Sequence, residues 1–302
     1  MSALSPAVVA AIHDLELAAR LVVEGMRAGS HRSPFHGYSA EFQQHRPYRA
    51  GDDLKYLDWK LLARTDRLYS RQFRETTSMS VMIVLDASAS MAFPEHDLSK
   101  FRYASIVAAS LAWLIASQGD AVGLMSMAQG ALAYLPARGG RPHVRTLITR
   151  MDRLVPGGRW EPARVIARGA ELLKRRGVVL VLSDFYDAEE ETRRELRRVA
   201  GHGHDVAMLQ VVSPAETAFP YRGEYEFEDL ESGERRLIDG AAVERRYRTA
   251  MSDFLTRCRN MAVRDGIDYA LLSTDMPPER ALRSYLLRRA APHPSSQPTA
   301  GA

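Results

Sequence analysis

The residues of this chain best placed to do chemistry are Asp86, Ser88 and Ser90, a carboxylate and two hydroxyls at alternate positions closing the apolar run VMIVLDASASM. Hard divalent cations take oxygen ligands, and magnesium is commonly held by one or two carboxylates with neutral oxygens and water completing its octahedron. One carboxylate with two hydroxyls would leave such an ion able to accept a further acid. The same residues also read as a turn followed by a helix cap, a role that Asp and Ser fill readily. The run itself is uninterrupted and β-branched, as expected of a central parallel strand covered on both faces, and ligands in such sheets collect beyond the strands' carboxyl ends. There Asp86 is expected to face solvent, so that Asp86→Ala would weaken partner capture with little loss of fold.

The elements that must position these residues follow from the pattern after Ser80, where strands and helices alternate and predict an α/β, doubly wound, mostly parallel sheet. Strands are expected at 81–86, 121–127, 131–135, 178–183, 205–212 and 267–273, the 131–135 strand being an antiparallel edge turned at Gln129-Gly130. Asp184 closes the 178–183 strand as Asp86 closes the first. Helices are expected at 101–117, which is almost wholly apolar and so deeply sandwiched, at 144–154 and 163–175, after Asp187, and at 241–264. The helix after Asp187 begins with Glu189, Glu190 and Glu191 and ends with Arg197 and Arg198, the order that complements a helix dipole. A hairpin insertion at 221–240 turns at Ser232-Gly233 and carries Glu224, Glu226, Glu228, Asp229, Glu231, Glu234 and Asp239 against three arginines. It serves either as an internal charge match to the basic helix that follows or as a docking flap.

Residues 1–78 read as an N-terminal helix (7–27) and an extended segment that wraps the sheet. A loop-like stretch at 29–42 and a helix capped by Asp52 or Asp53, with Leu54, Leu57, Leu61 and Leu62 on one stripe, precede a strand at 68–73 that leads into the sheet. Asp52, Asp53 and Asp58 read better as caps and solvated charges than as a second metal cluster. Residues 79–290 form the main domain, and 291–302 are a Pro/Ser/Ala tail of disordered composition.

Composition sets the class. The chain has 302 residues, 46% hydrophobic and 26% charged, with a formal charge of +4 and a single cysteine, Cys258. A core of useful size, a reducing compartment and a cytoplasmic protein are the expectations. No signal peptide or membrane span is read from the sequence. Arginines are spread over the chain without a basic stripe, which argues against nucleic acid as a partner. His202 and His204, in a turn without nearby cysteine, read as polar loop residues. Trp59, Trp113 and Cys258 read as packing, whereas Trp160, in a Gly-rich loop, is a candidate partner contact.

DASASM closing one strand and LSDF closing a later one resemble the von Willebrand factor A fold, a Rossmann-like sheet with a metal-ion-dependent adhesion site. The resemblance implies Asp86, Ser88, Ser90 and Asp184 as ligands of Mg2+ or Mn2+, with a threonine from an intervening loop. That loop here reads VPGGRWEP and contains no threonine or serine; Arg159 or Trp160 stands at the position, and Glu161 is the residue that could turn inward instead. The upstream segment RPYRAGDDLKYLDWKLLARTDRLYSRQF is similar to the bacterial domain-of-unknown-function 58 family, and the closing LSTDMPPERALRSYLLRR fits it. This implies a non-enzymatic protein-binding adaptor, chaperone-like, acting with a MoxR-type AAA+ ATPase on client proteins. The chain has no GxxxxGK[ST] loop, so ATP hydrolysis would belong to the partner. The competing function is a metal-dependent phosphoryl-transfer hydrolase; a second Asp two residues after Asp86 is replaced by Ser88, and no GxSxG elbow occurs.

Overall fold

The computed structural model describes residues 5–27, 41–47, 59–65, 68–74, 79–94, 98–173, 175–186, 189–230 and 233–290. The chain divides into a large unit, residues 1–34 with 80–302, and a small one, residues 35–79. The N-terminal segment therefore does not behave as one block.

The expected helix over 7–27 is two helices, α1 (Pro6–Ala11) and α2 (Leu15–Arg27). The break has a local cause: the Asp14 carboxylate accepts the Leu17 N–H at 3.0 Å, starting a second helix. Leu15, Ala18, Ala19, Val22 and Val23 of α2 are buried, while Leu17 points to solvent. In the small unit, β1 (Glu41–Pro47) pairs antiparallel with β2 (Tyr69–Arg74), and α3 (Trp59–Thr65) lies between them in sequence. β2 thus forms its own two-stranded sheet and does not join the main one. The polar sequence EFQQHRP of β1 straddles the end of the loop-like stretch and has no apolar alternation to announce a strand. Asp52, Asp53, Asp58, the 291–302 tail and the Trp59 side chain lie outside the described residues.

The large unit is built on β3 (Ser80–Ala87), β4 (Ala121–Ala128), β5 (Ala131–Arg138), β6 (Val178–Ser183), β7 (Asp205–Val212) and, after the β8 (Glu224–Glu228) and β9 (Arg235–Asp239) hairpin, β10 (Asp268–Ser273). Its order is β10-β7-β6-β3-β4-β5, parallel except for the β5 edge. β3 pairs on both sides, which explains why Val81–Ala87 are buried without interruption.

One face of the sheet is covered by α4 (Lys100–Ser117), behind which pack α2, α5 (Arg141–Asp152) and α10 (Pro278–Ala290). Burial on both sides of α4 matches its near-continuous apolar sequence, and Ser99 caps it by accepting the Arg102 N–H at 3.1 Å. The other face carries α6 (Pro162–Glu171), α7 (Glu189–Gly201) and α9 (Gly240–Arg264), with Val165, Ile166, Leu196 and Cys258 packed against Met82, Val84, Val181 and Met208. A short helix, α8 (Pro214–Ala218), follows β7 directly.

Candidate functional site

The sheet order places the ends of β7, β6 and β3 side by side. Asp86 closes β3, Asp184 follows β6, and Glu216 sits in α8 just after β7, so three acids from distant parts of the sequence meet on one edge. The first turn of α4 adds Lys100.

Lys100 is fully buried, and its ammonium donates to Asp184 Oδ2 at 2.8 Å and to Glu216 Oε1 at 2.5 Å, over the Tyr186 ring at 4.5 Å from its centroid. Burial opposes the lysine's charge, but Asp184 and Glu216 outweigh it and hold its pKa above the ordinary value. Glu216 has a second task. Its Oε2 accepts the Ser213 N–H at 2.7 Å as half of the capping box of α8, which fixes the carboxylate where Lys100 needs it. Burial still pushes the Glu216 carboxyl upward against the pull of Lys100.

Asp184 is aimed by its own turn. Its Oδ1 accepts the Tyr186 N–H at 3.1 Å, and the intervening Phe185 takes a left-handed φ of +61° with its ring buried in the core. From β7, Gln210 donates to the Asp184 carbonyl at 2.9 Å and is itself held by the Tyr269 hydroxyl at 2.8 Å.

Asp86, expected at the solvent face, is 1% exposed, and Ser88 equally so; of the four predicted site residues only Ser90 is not buried. The Ser88 N–H donates to Asp86 Oδ1 at 2.8 Å and the Ser183 hydroxyl to Asp86 Oδ2 at 2.5 Å. The Ser88 and Ser90 hydroxyls lie 3.2 Å apart. Desolvation, then the nearby Asp184 charge, raises the Asp86 pKa to about 7, against the pull of those hydrogen bonds. The turn-and-cap reading of DASAS is half present: Ser88 precedes a 3-10 turn at Ala89–Ala92 without capping it by its side chain.

The VPGGRWEP loop is pinned to this turn by backbone bonds. Gly157 N–H donates to the Ala87 carbonyl and Ala89 N–H to the Gly158 carbonyl, both at 2.9 Å, with Gly158 at a φ of +76° that suits glycine. Trp160 then turns into the core beside Val165 and Phe185 at 4% exposure, so it is not a partner contact as its loop position led us to expect. Glu161 does not turn inward; it is exposed and pairs with Arg164 at 3.4 Å.

These placements decide whether the residues suit a divalent ion of the expected kind. Asp86, Ser88 and Ser90 do converge. The second carboxylate, Asp184, however, already carries the Lys100 ammonium, and the loop supplies a buried indole where a hydroxyl ligand is required. Among the described residues, no three His, Cys, Asp or Glu side chains are arranged to hold a metal. The donor set does not fit a Mg2+ or Mn2+ site of the adhesion type. His202 and His204 have local roles, accordingly: His202 Nδ1 lies 2.6 Å from the Arg198 carbonyl, and His204 Nδ1 accepts the Gly177 N–H at 3.4 Å.

Sequence reasoning missed Lys100, Ser183, Tyr186 and Glu216. Two signals were present: a lysine opening an otherwise apolar buried helix, and SPAE after a buried strand, the spacing of a capping box.

Beyond the strand ends opens a groove of about 1680 Å3. Ser90, Phe93 and Tyr186 line it together with Tyr225 and Phe227 of the hairpin and Tyr247 of α9. The hairpin occupies the insertion expected at 221–240, and its own arginines pair with its own acids, Arg235 with Glu228 at 2.8 Å and Glu226 at 3.6 Å, and Arg236 with Glu234 at 2.8 Å; none of these pairs reaches the basic helix α9.

Residues 44–257 match the family described as protein of unknown function DUF58. The chain belongs to the DUF58 family. This DUF58 protein is 30% identical over 231 residues to uncharacterized proteins of Mycobacterium bovis and Mycobacterium tuberculosis, covering 76% of this chain and 72% of each of those. Among solved structures it resembles BatB from Bacteroides thetaiotaomicron, with a TM-score of 0.50 and 18% identity over 70% of this chain and 99% of that one. The SpRpn10 VWA domain matches with a TM-score of 0.44 and 11% identity over 69% of this chain and 95% of that one. The DUF58 chain has a von Willebrand factor A-like fold, and no helix among its described residues is long and apolar enough to cross a membrane.

Proposed function

We propose that this protein is a non-enzymatic protein-binding module, a cytoplasmic adaptor that works with a MoxR-type AAA+ ATPase in the assembly or maturation of client proteins. The observation that carries this reading is the groove at the strand ends, with ring-bearing walls and a volume suited to a segment of polypeptide. The ATPase is brought in by the family resemblance of the segment upstream of β3. The hydrolase alternative has less support, because the Asp86 carboxylate and the Ser88 hydroxyl are closed off from solvent and offer substrate no approach.

The test is co-expression with a MoxR-type ATPase from the same genome, followed by size-exclusion chromatography with ATP and with ADP. A complex that forms with either nucleotide supports the adaptor. Absence of any complex, together with metal-dependent cleavage of para-nitrophenyl phosphate that Asp86→Ala abolishes, overturns it in favour of the hydrolase.

A further inference from the structure

We infer that the groove between the hairpin and the strand ends binds an extended protein segment in which lysine or arginine alternates with apolar or aromatic side chains. The inference rests on the protein-binding reading above and names the chemistry of what is bound.

The groove is built around a pile of aromatic rings. Phe219 lies 4.5 Å from Tyr247 and 5.2 Å from Tyr221, centroid to centroid, and is nearly parallel to Phe227 at 5.9 Å. Tyr221 meets Phe227 edge-on at 5.3 Å and Tyr225 at 5.4 Å. Phe219 holds this pile together from a left-handed backbone position, φ +48°, which a bulky residue adopts only at a cost. The pile is incompletely covered: Tyr225 is 42% exposed, and Leu230 of the same wall 40%. Exposed rings beside apolar side chains are the usual composition of a binding hot spot.

The charge around the rings has one dominant sign. Glu226, Glu228, Asp229 and Asp275 line the groove against Arg246, while Lys100 and Glu216 at its inner end are already paired with each other. Arg235 is shared between Glu226 and Glu228, so a single positive charge faces two carboxylates. At the strand-end side, Ser90 lines the groove, with its hydroxyl 3.2 Å from that of Ser88, whose backbone N–H holds the Asp86 carboxylate. A guanidinium or ammonium would find carboxylates along the wall and ring faces to stack on. An acidic segment would meet four carboxylates along the same lining against Arg246.

The test is selection of random dodecapeptides by phage display on the full chain, with affinities of synthetic winners measured by fluorescence anisotropy. The expected winners combine basic with aliphatic or aromatic residues. Tyr225→Ala is expected to weaken them about tenfold or more, as loss of a central aromatic contact does. Should that variant distort the hairpin, Glu228→Arg provides an independent reading: it leaves the rings in place and is expected to weaken basic peptides while relieving the bar against acidic ones. Recovery of no binders, enrichment of acidic sequences, or affinities untouched by both substitutions overturns the proposal. A dimer of the wild-type chain that Tyr225→Ala dissociates would assign the groove to a second copy and likewise overturn it. If peptides bind as expected but no ATPase complex forms, the groove stands and the ATPase assignment falls. If the ATPase binds wild type and Tyr225→Ala alike and no peptides are selected, the reverse holds.

Discussion

Replacing Lys100 by methionine keeps the length of the side chain and removes its ammonium from between Asp184 and Glu216. The two carboxylates then face each other in a site where Asp184 is 2% exposed and Glu216 9%. Removing one partner of a buried ion pair costs roughly 3–5 kcal/mol, because the remaining charge stays desolvated without compensation. Spread over a domain of this size, that is a fall in melting temperature of roughly 10 °C. The loss is measured by urea denaturation at neutral pH, followed by tryptophan fluorescence. Because the folded pKa of Lys100 lies above its unfolded value of 10.5, its contribution is fully present below that pH and is lost only as pH rises through the folded pKa, so neutral pH reads the whole effect. A second substitution separates charge from packing: Glu216→Gln in the Lys100→Met background removes one of the stranded carboxylates and should recover at least about 1 kcal/mol, a coupling expected only of groups in direct contact. Loss of under about 1 kcal/mol in Lys100→Met, or no recovery in the double variant, would refute the claim that this lysine neutralises the strand ends.

Three further outcomes are expected. Titration of the wild-type chain with MgCl2 or MnCl2 in a calorimeter should give no saturable heat; a one-to-one isotherm lost in Asp86→Ala would reverse the conclusion that the donor set does not suit a divalent ion. Asp86→Asn should be more stable than wild type at pH 8 and lose that advantage progressively as pH falls through 7 to below 3.8. The folded pKa of about 7 exceeds the unfolded 3.8, so the wild-type fold loses stability as pH rises through that window, by at most about 4 kcal/mol, and a difference independent of pH would contradict this. Gly240→Ala should lower the melting temperature and disturb the groove, because a Cβ there would come within 2.4 Å of the Tyr221 carbonyl; an unchanged melting curve would mean that the hairpin is not locked to the start of α9.

The alternation of apolar strands with helices was legible because both faces of the sheet are covered, which forces unbroken apolar runs at β3 and β6. The positions of Asp86 and Asp184 followed from those runs, since a strand end is easy to see. Their surroundings were harder to read, for three distinct reasons. The VPGGRWEP loop meets the Asp86 turn through backbone bonds, which no side-chain motif announces beyond the glycines that permit them. The Lys100–Asp184–Glu216 cluster spans more than a hundred residues, and only the strand order brings it together. The N-terminal break depends on Asp14, one cap that interrupts an apolar pattern which otherwise continues.

The strand order of this sheet delivers acids to one edge, and the positive charge that balances them can be diffusible or covalently attached. Here it is attached. Lys100 enters from the helix that follows β3, and the capping box of α8 turns Glu216 to meet it, so Asp184 is balanced without drawing on solvent. Asp86 is different, since no cationic side chain among the described residues pairs with it and it carries a raised pKa. A buried group that lowers stability at neutral pH is more readily explained by a task than by the fold. Ser90, whose hydroxyl lies 3.2 Å from that of Ser88, lines the groove and so joins the Asp86 turn to it. Two perturbations then separate the roles: chelators should leave peptide binding intact, whereas Tyr225→Ala should weaken it about tenfold or more. Dependence on a chelatable ion would return the site to the metal-bridged mode that its sequence motif resembles.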